Sequence, residues 1–183
     1  PLRRLQPDCT LHIVGHGADL NGRAPNTSRF APQASSDQAQ AQHHDPGQAD
    51  AVRLVLGSTD LLTGIAGKPG VGKTTVIRET ADAIRSLSGQ EPMMLAATAS
   101  AVARLKESGM LEATIVANFK VKSMLQAVAV GRVIWCDEAS LLDNADMTWL
   151  LNFARANGSR LVVSGDPRQH GAGAHLDAQR MAG

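Results

Sequence analysis

The chain has 183 residues and a mass of 19.2 kDa, room for one domain and some additional chain. A hydrophobic fraction of 43% is that of a globular protein, and 18 basic against 17 acidic residues leave a net charge of +1, so bulk charge makes no case for a polyanionic partner. Tyr is absent, which excludes any mechanism in this chain that needs a tyrosine nucleophile.

Residues 1–46 are rich in Pro, Ala, Gln, Ser, His and Gly, and 31–47 hold no apolar side chain larger than Ala or Pro. Such a segment cannot bury enough surface to offset its ordering entropy, so 1–46 reads as a disordered or loosely attached arm. Leu11, Ile13 and Val14 are its isolated strand-like residues. From 47 to 183 apolar strands alternate with amphipathic helices. A first helix over 48–56 places Ala51, Val52, Val55 and Leu56 on one face, with Gly57 ending it. The run 61–65 leads into glycines as a buried strand. Ile77, Ala81, Ile84 and Leu87 then mark a helix over 73–87. A second strand is expected at 93–97 and a helix at 100–108, closed by Gly109. The apolar segment 114–126 reads as helical. A third strand covers 133–136. Asp143 or Asn144 can cap a helix striped by Met147, Leu150, Leu151 and Ala154 and closed by Gly158. A fourth strand follows at 161–164. The alternation predicts an α/β fold, a parallel sheet with helices on both faces and ligands beyond the carboxyl ends of its strands.

Gly67-Lys68-Pro69-Gly70-Val71-Gly72-Lys73-Thr74 fits the phosphate-loop pattern, with a strand before it and a helix after it. A triphosphate needs backbone N–H groups that approach without Cβ obstruction, which Gly67, Gly70 and Gly72 permit. The helix start adds its positive dipole end. Lys73 supplies a point charge to the β- and γ-phosphates and Thr74 a hydroxyl for Mg²⁺. The expected ligands are therefore a nucleoside triphosphate and Mg²⁺, with Gly67, Gly70, Val71, Gly72, Lys73, Thr74 and Thr75 around the phosphates.

Val133-Ile134-Trp135-Cys136 ends in Asp137 and Glu138, two carboxylates at a strand's carboxyl edge. There Asp137 can hold Mg²⁺ through water, and Glu138 can orient or deprotonate an attacking water. After the fourth strand comes Gly165-Asp166-Pro167-Arg168-Gln169, where Gln169 can bond both a γ-phosphate and that water. The catalytic candidates are thus Lys73, Asp137, Glu138 and Gln169, with Thr74 and Asp137 at the metal.

Together with Gly64-Ile65-Ala66 before the loop and 95–101 after the second strand, these segments resemble the ordered motifs I, Ia, II and III of superfamily 1 DNA helicases. The likeness is to the RecD-like branch, and within it to the motor of MobF-type conjugative relaxase-helicases. It spans about 45–172. The resemblance implies a P-loop NTPase with a RecA-like sheet, a single motor lobe. It also implies that Gln48 reads adenine, which makes ATP the expected cofactor with Mg²⁺, and that Thr98 and Ser100 meet the backbone of single-stranded DNA. Ala97 stands where the family usually has Pro, which bears on the path of the DNA-contacting loop.

Superfamily 1 motors close two RecA-like lobes on one nucleotide, and the second lobe donates an arginine. Too few residues follow Gln169 in this chain for such a lobe, so a second RecA-like domain, in cis or trans, is an expected partner. Arginines supplied in trans to other nucleotide hydrolases contribute about 10³–10⁵ in rate, and turnover by this chain alone is expected to be weak or absent. The alternative is a non-motor remnant or nucleotide-binding module with negligible turnover.

Other residues carry less. Cys9, His12 and His16 have metal-like spacing, but a structural zinc takes four ligands and only Asp8 and Asp19 lie near, so they read as solvated side chains. Lys120 and Lys122 read as part of a solvated face. Two cysteines make no disulfide framework, no apolar run approaches the ~18 residues of a membrane span, and no secretion signal is present. A cytoplasmic protein without a membrane partner is the expectation.

Overall fold

The short apolar runs become strands of one sheet in the computed structural model, which describes residues 9–13, 46–67 and 72–166. In chain order the elements are β1 (Cys9–Ile13), α1 (Pro46–Gly57), β2 (Leu62–Gly67), α2 (Lys73–Ser88), β3 (Met93–Ala96), α3 (Ala99–Glu107), β4 (Thr114–Ile115), α4 (Val116–Val121), α5 (Ser123–Ala129), β5 (Val133–Asp137), α6 (Asn144–Ala156) and β6 (Arg160–Gly165). A 3-10 turn at Ala139–Leu141 follows β5.

The strand order is β1-β2-β6-β5-β3-β4. Strands β2, β6, β5, β3 and β4 run parallel, and β1 joins β2 antiparallel at one edge. The carboxyl ends of the inner strands lie along one side, with Ala66 beside Gly165, Cys136 beside Val163, and Ala96 beside Asp137. The expected α/β sheet is therefore the one observed.

Successive residues of β5 serve opposite faces, as strand geometry requires. Val133 and Trp135 pack with Val55, Val76, Ile77 and Leu105, so α1, α2 and α3 cover one face. Ile134 and Cys136 pack with Phe119, Leu150 and Ala154, so α4, α5 and α6 cover the other. Burial on both sides explains why β5 reads as a continuous apolar run rather than an alternating one. On the second face Phe119 is fully buried, edge-on to Trp149 (5.9 Å) and Phe153 (5.2 Å), which stack on each other at 5.4 Å.

Helix ends follow their local chemistry. Asp143 caps α6 by accepting from Asp146 N at 2.7 Å, and Thr98 caps α3 by accepting from Ala101 N at 3.1 Å. Gly89 ends α2 in the left-handed region, its N–H donating to Arg85 O.

Two stretches depart from expectation. The segment 114–126, expected as one helix, is a short strand and two helices. Thr114 and Ile115 pair with Leu95 and Ala96, as β-branched residues at a free sheet edge favour. The chain then breaks at Lys122, where Gln126 Nε2 donates to Phe119 O (3.0 Å) and Lys120 O (2.8 Å), satisfying carbonyls at the end of α4. Within the segment expected as a loose arm, Cys9–Ile13 is a sheet strand, registered against Thr63–Gly67. The open edge of β2 offers backbone partners that composition could not reveal. The rest of 1–45 lies outside the described residues. Among the described residues no helix is long and apolar enough to cross a membrane.

Candidate functional site

The site is built where β2, β5 and β3 end. Strand β2 finishes at Gly67, and α2 begins at Lys73. Between them Gly70 and Val71 lie outside the described residues. Gly72 immediately precedes α2 with φ +81 and ψ 26. Its left-handed backbone disfavours a side chain, and a Cβ there would lie 2.1 Å from Gln48 Nε2, so the flexible end of Gln48 would have to move aside. Gln48, on α1, thus lays its amide against the phosphate-loop end, because α1 and α2 pack together on one face of the sheet.

Gly72 brings no side chain to cap α2, and the helix's first turn holds no acidic residue to offset the positive end of its dipole. Lys73 Nζ reaches back across the loop and donates to Gly67 O at 2.5 Å. Thr74 is exposed and Thr75 half-buried in the same turn.

Asp137 ends β5, and Ser164 Oγ of β6 donates to its Oδ1 at 2.7 Å. Glu138 follows with φ 52, the one described non-glycine residue in the left-handed region, held there by a tight turn in which Leu141 N donates to Glu138 O at 2.9 Å. Its carboxylate is engaged on both oxygens. Thr98 Oγ1 donates to Oε2 at 2.9 Å, and Arg104 Nη2 pairs with Oε1. Thr98 lies within 3.1 Å of Ser100 Oγ as well. The structure therefore brings Thr98, Ser100 and Glu138 together at the tops of β3 and β5.

The phosphate-loop strand and the acidic strand are not neighbours. Strand β6 stands between them, carrying Ser164, Gly165 and Asp166 to the same edge. Gly165 is packed so closely that a Cβ there would lie 3.1 Å from Ser140 Oγ. Gln169 lies outside the described residues. Cys136, behind Asp137 on β5, is a free buried thiol whose pKa burial, and then the charges of Asp137 and Asp146, push up to about 12.

Three residues of this arrangement had escaped the sequence reading. Ser164 is a polar residue inside an apolar strand, and a buried hydroxyl demands a partner; that signal was available. Trp135 carries an indole N–H that likewise needs an acceptor. Arg104 gave no signal, since its meeting with Glu138 spans 34 residues and depends on the packing of α3.

The donor set fits a magnesium-bound nucleoside triphosphate. The glycines of the 67–72 sequence, a helix start with no acidic residue in its first turn and a lysine suit phosphate, and the oxygen donors Thr74 and Asp137 suit a hard divalent cation. Comparison with known proteins supports nucleotide binding. A family model described as an AAA domain matches residues 43–179. Two curated relatives, both named multifunctional conjugation protein TraI, come from Escherichia coli strain K12 and from Escherichia coli. They are 33% and 32% identical over 132 residues, 67% of this chain and 8% of each relative. With the family match running from before α1 to beyond β6, the chain belongs to the AAA domain family, as a superfamily 1 helicase-like motor domain similar to part of TraI.

Proposed function

We propose that this chain binds Mg·ATP at the carboxyl edge of β2 and β5 and serves as the first RecA-like lobe of a superfamily 1 DNA helicase. The observation that carries the reading is that the Gly72–Lys73 helix start and the Asp137–Glu138 strand end lie along the same sheet edge, one strand apart. In this reading Gly67, Gly70, Val71, Gly72, Thr74 and Thr75 surround the phosphates, and Lys73 exchanges Gly67 O for phosphate oxygens. Gln48, already against the loop, reads adenine. Thr74 and Asp137 hold the metal, which when bound offsets charge on the phosphate oxygens. Glu138 orients the attacking water, Gln169 senses the γ-phosphate, and Thr98 and Ser100 meet single-stranded DNA. A second RecA-like lobe, in cis or trans, supplies the arginine that full turnover requires. Similarity to a conjugation protein supports DNA transfer as the setting.

The test is nucleotide binding by the folded chain, followed with a fluorescent ATP analogue and Mg²⁺. Saturable binding is expected, weakened about 10–100-fold in Lys73→Ala, as for loss of a charge-assisted bond. ATP turnover that single-stranded DNA stimulates and Lys73→Ala abolishes supports the motor role. A folded chain that binds no nucleotide at millimolar concentration would overturn the reading.

A further inference from the structure

A chain of hydrogen bonds runs beneath the acidic end of β5. Trp135 Nε1 donates to Ser164 Oγ at 2.9 Å, and Ser164 Oγ donates to Asp137 Oδ1 at 2.7 Å. Trp135 is 1% exposed and Ser164 2%, so water does not compete for either. The direction of both bonds follows from the groups themselves. An indole N–H only donates and an ionised carboxylate only accepts, so the hydroxyl between them must accept from one and donate to the other. Its single proton is committed to Asp137.

Trp135 and Asp137 are two residues apart on β5 and therefore project to the same face, the one covered by α1 and α2. Ser164 stands on β6, the strand between β5 and the phosphate-loop strand. The carboxylate is thus tied through Oδ1 toward the loop side of the sheet, which leaves Oδ2 for a cation. A carboxylate unrestrained about its last torsion would have to be ordered when a cation binds, and Ser164 removes that freedom beforehand.

We propose that Ser164 is a positioning residue for Asp137 in the binding of the divalent cation, and that Trp135 reports the state of that carboxylate. The inference rests on the Mg·ATP reading above and deepens it. A cation held by Asp137, directly or through water, would draw electron density from the carboxylate and weaken Oδ1 as an acceptor. The change passes through the hydroxyl to the indole N–H and alters Trp135 emission.

The chain holds two tryptophans, so Trp149→Phe leaves Trp135 as the single indole. In that background two quantities are read: the Mg²⁺ concentration that half-saturates binding of a methylanthraniloyl ATP, and Trp135 emission during Mg²⁺ titration with unlabelled ATP present. Ser164→Ala is expected to raise the Mg²⁺ midpoint about 10–100-fold, as loss of a ligand-orienting partner does elsewhere. Nucleotide affinity in EDTA stays unchanged, and the Mg²⁺-dependent emission change disappears. Ser164→Thr, which keeps the hydroxyl, restores both. Should Ser164→Ala fail to fold, Ser164→Cys, with its weak S–H donor, takes its place with the same expected shift. An unchanged Mg²⁺ midpoint in the folded variant, or failure of Ser164→Thr to restore it, would overturn the proposal and leave nucleotide binding standing. Absence of nucleotide binding by the unaltered chain, with or without Mg²⁺, would overturn both readings together.

Discussion

Thr98 donates its hydroxyl to Glu138 Oε2 at 2.9 Å, joining the end of β3 to the end of β5 across 40 residues of chain. Thr98 Oγ1 also accepts from Ala101 N at 3.1 Å, so one side chain both starts α3 and restrains the carboxylate proposed to handle water. Arg104, one turn further along α3, takes the other carboxylate oxygen. Any displacement of the α3 start is therefore felt at Glu138.

Removing the Thr98 hydroxyl tests how much that junction contributes. Thr98→Ala is expected to lower stability by ~1 kcal/mol, within the range of 0.5–2 for a lost helix cap. Thr98→Val, of the same shape, loses as much, and Thr98→Ser stays within a few tenths because it keeps both bonds. Arg104→Ala, by contrast, removes a half-exposed partner of Glu138 and should cost less than ~1 kcal/mol. Urea unfolding midpoints of the four variants check the ranking.

Gly72 is expected to resist substitution for a reason separable from nucleotide binding. Its φ of +81 costs an L-residue roughly 1–2 kcal/mol, and an added Cβ also meets Gln48 Nε2. Gly72→Ala should lose at least the first amount in the absence of nucleotide. In a Gln48→Ala background the backbone penalty persists while the steric part vanishes, so the cost falls by a few tenths. A double-mutant cycle by denaturation measures the difference.

Cys136 makes stability depend on alkaline pH. The folded state holds its proton to about 12, whereas the unfolded chain releases it near 9.0. Above that lower value the unfolded state binds fewer protons than the native state, so stability falls as pH rises, by up to ~1.4 kcal/mol per unit. The chain has no Tyr to titrate in the same range. Unfolding of a Cys9→Ser chain in EDTA at pH 8, 9 and 10, set against the same chain with Cys136→Ala, should show a steeper decline where the thiol is present. At pH 8 a thiol reagent should react with Cys136 only after denaturant is added.

What the sequence determined alone was everything carried by short-range pattern. Helix periodicity, capping residues and glycine stops placed α1, α2, α3 and α6, and the apolar runs placed β2, β3, β5 and β6, because each depends on residues a few positions apart. The phosphate-loop pattern and the Asp137–Glu138 pair, both still proposals as a site, stand out in the sequence for the same reason, their spacing being local. The tertiary structure decided what depends on which strands become neighbours. It put β6 between β2 and β5, brought Ser164 to Asp137 and Arg104 to Glu138, recruited Cys9–Ile13 to the edge of β2, and split 114–126 so that Phe119 could enter the aromatic cluster. Those contacts join residues far apart in the chain, and their free energy comes from a shared buried face or a sheet edge that exists only once the whole sheet has formed.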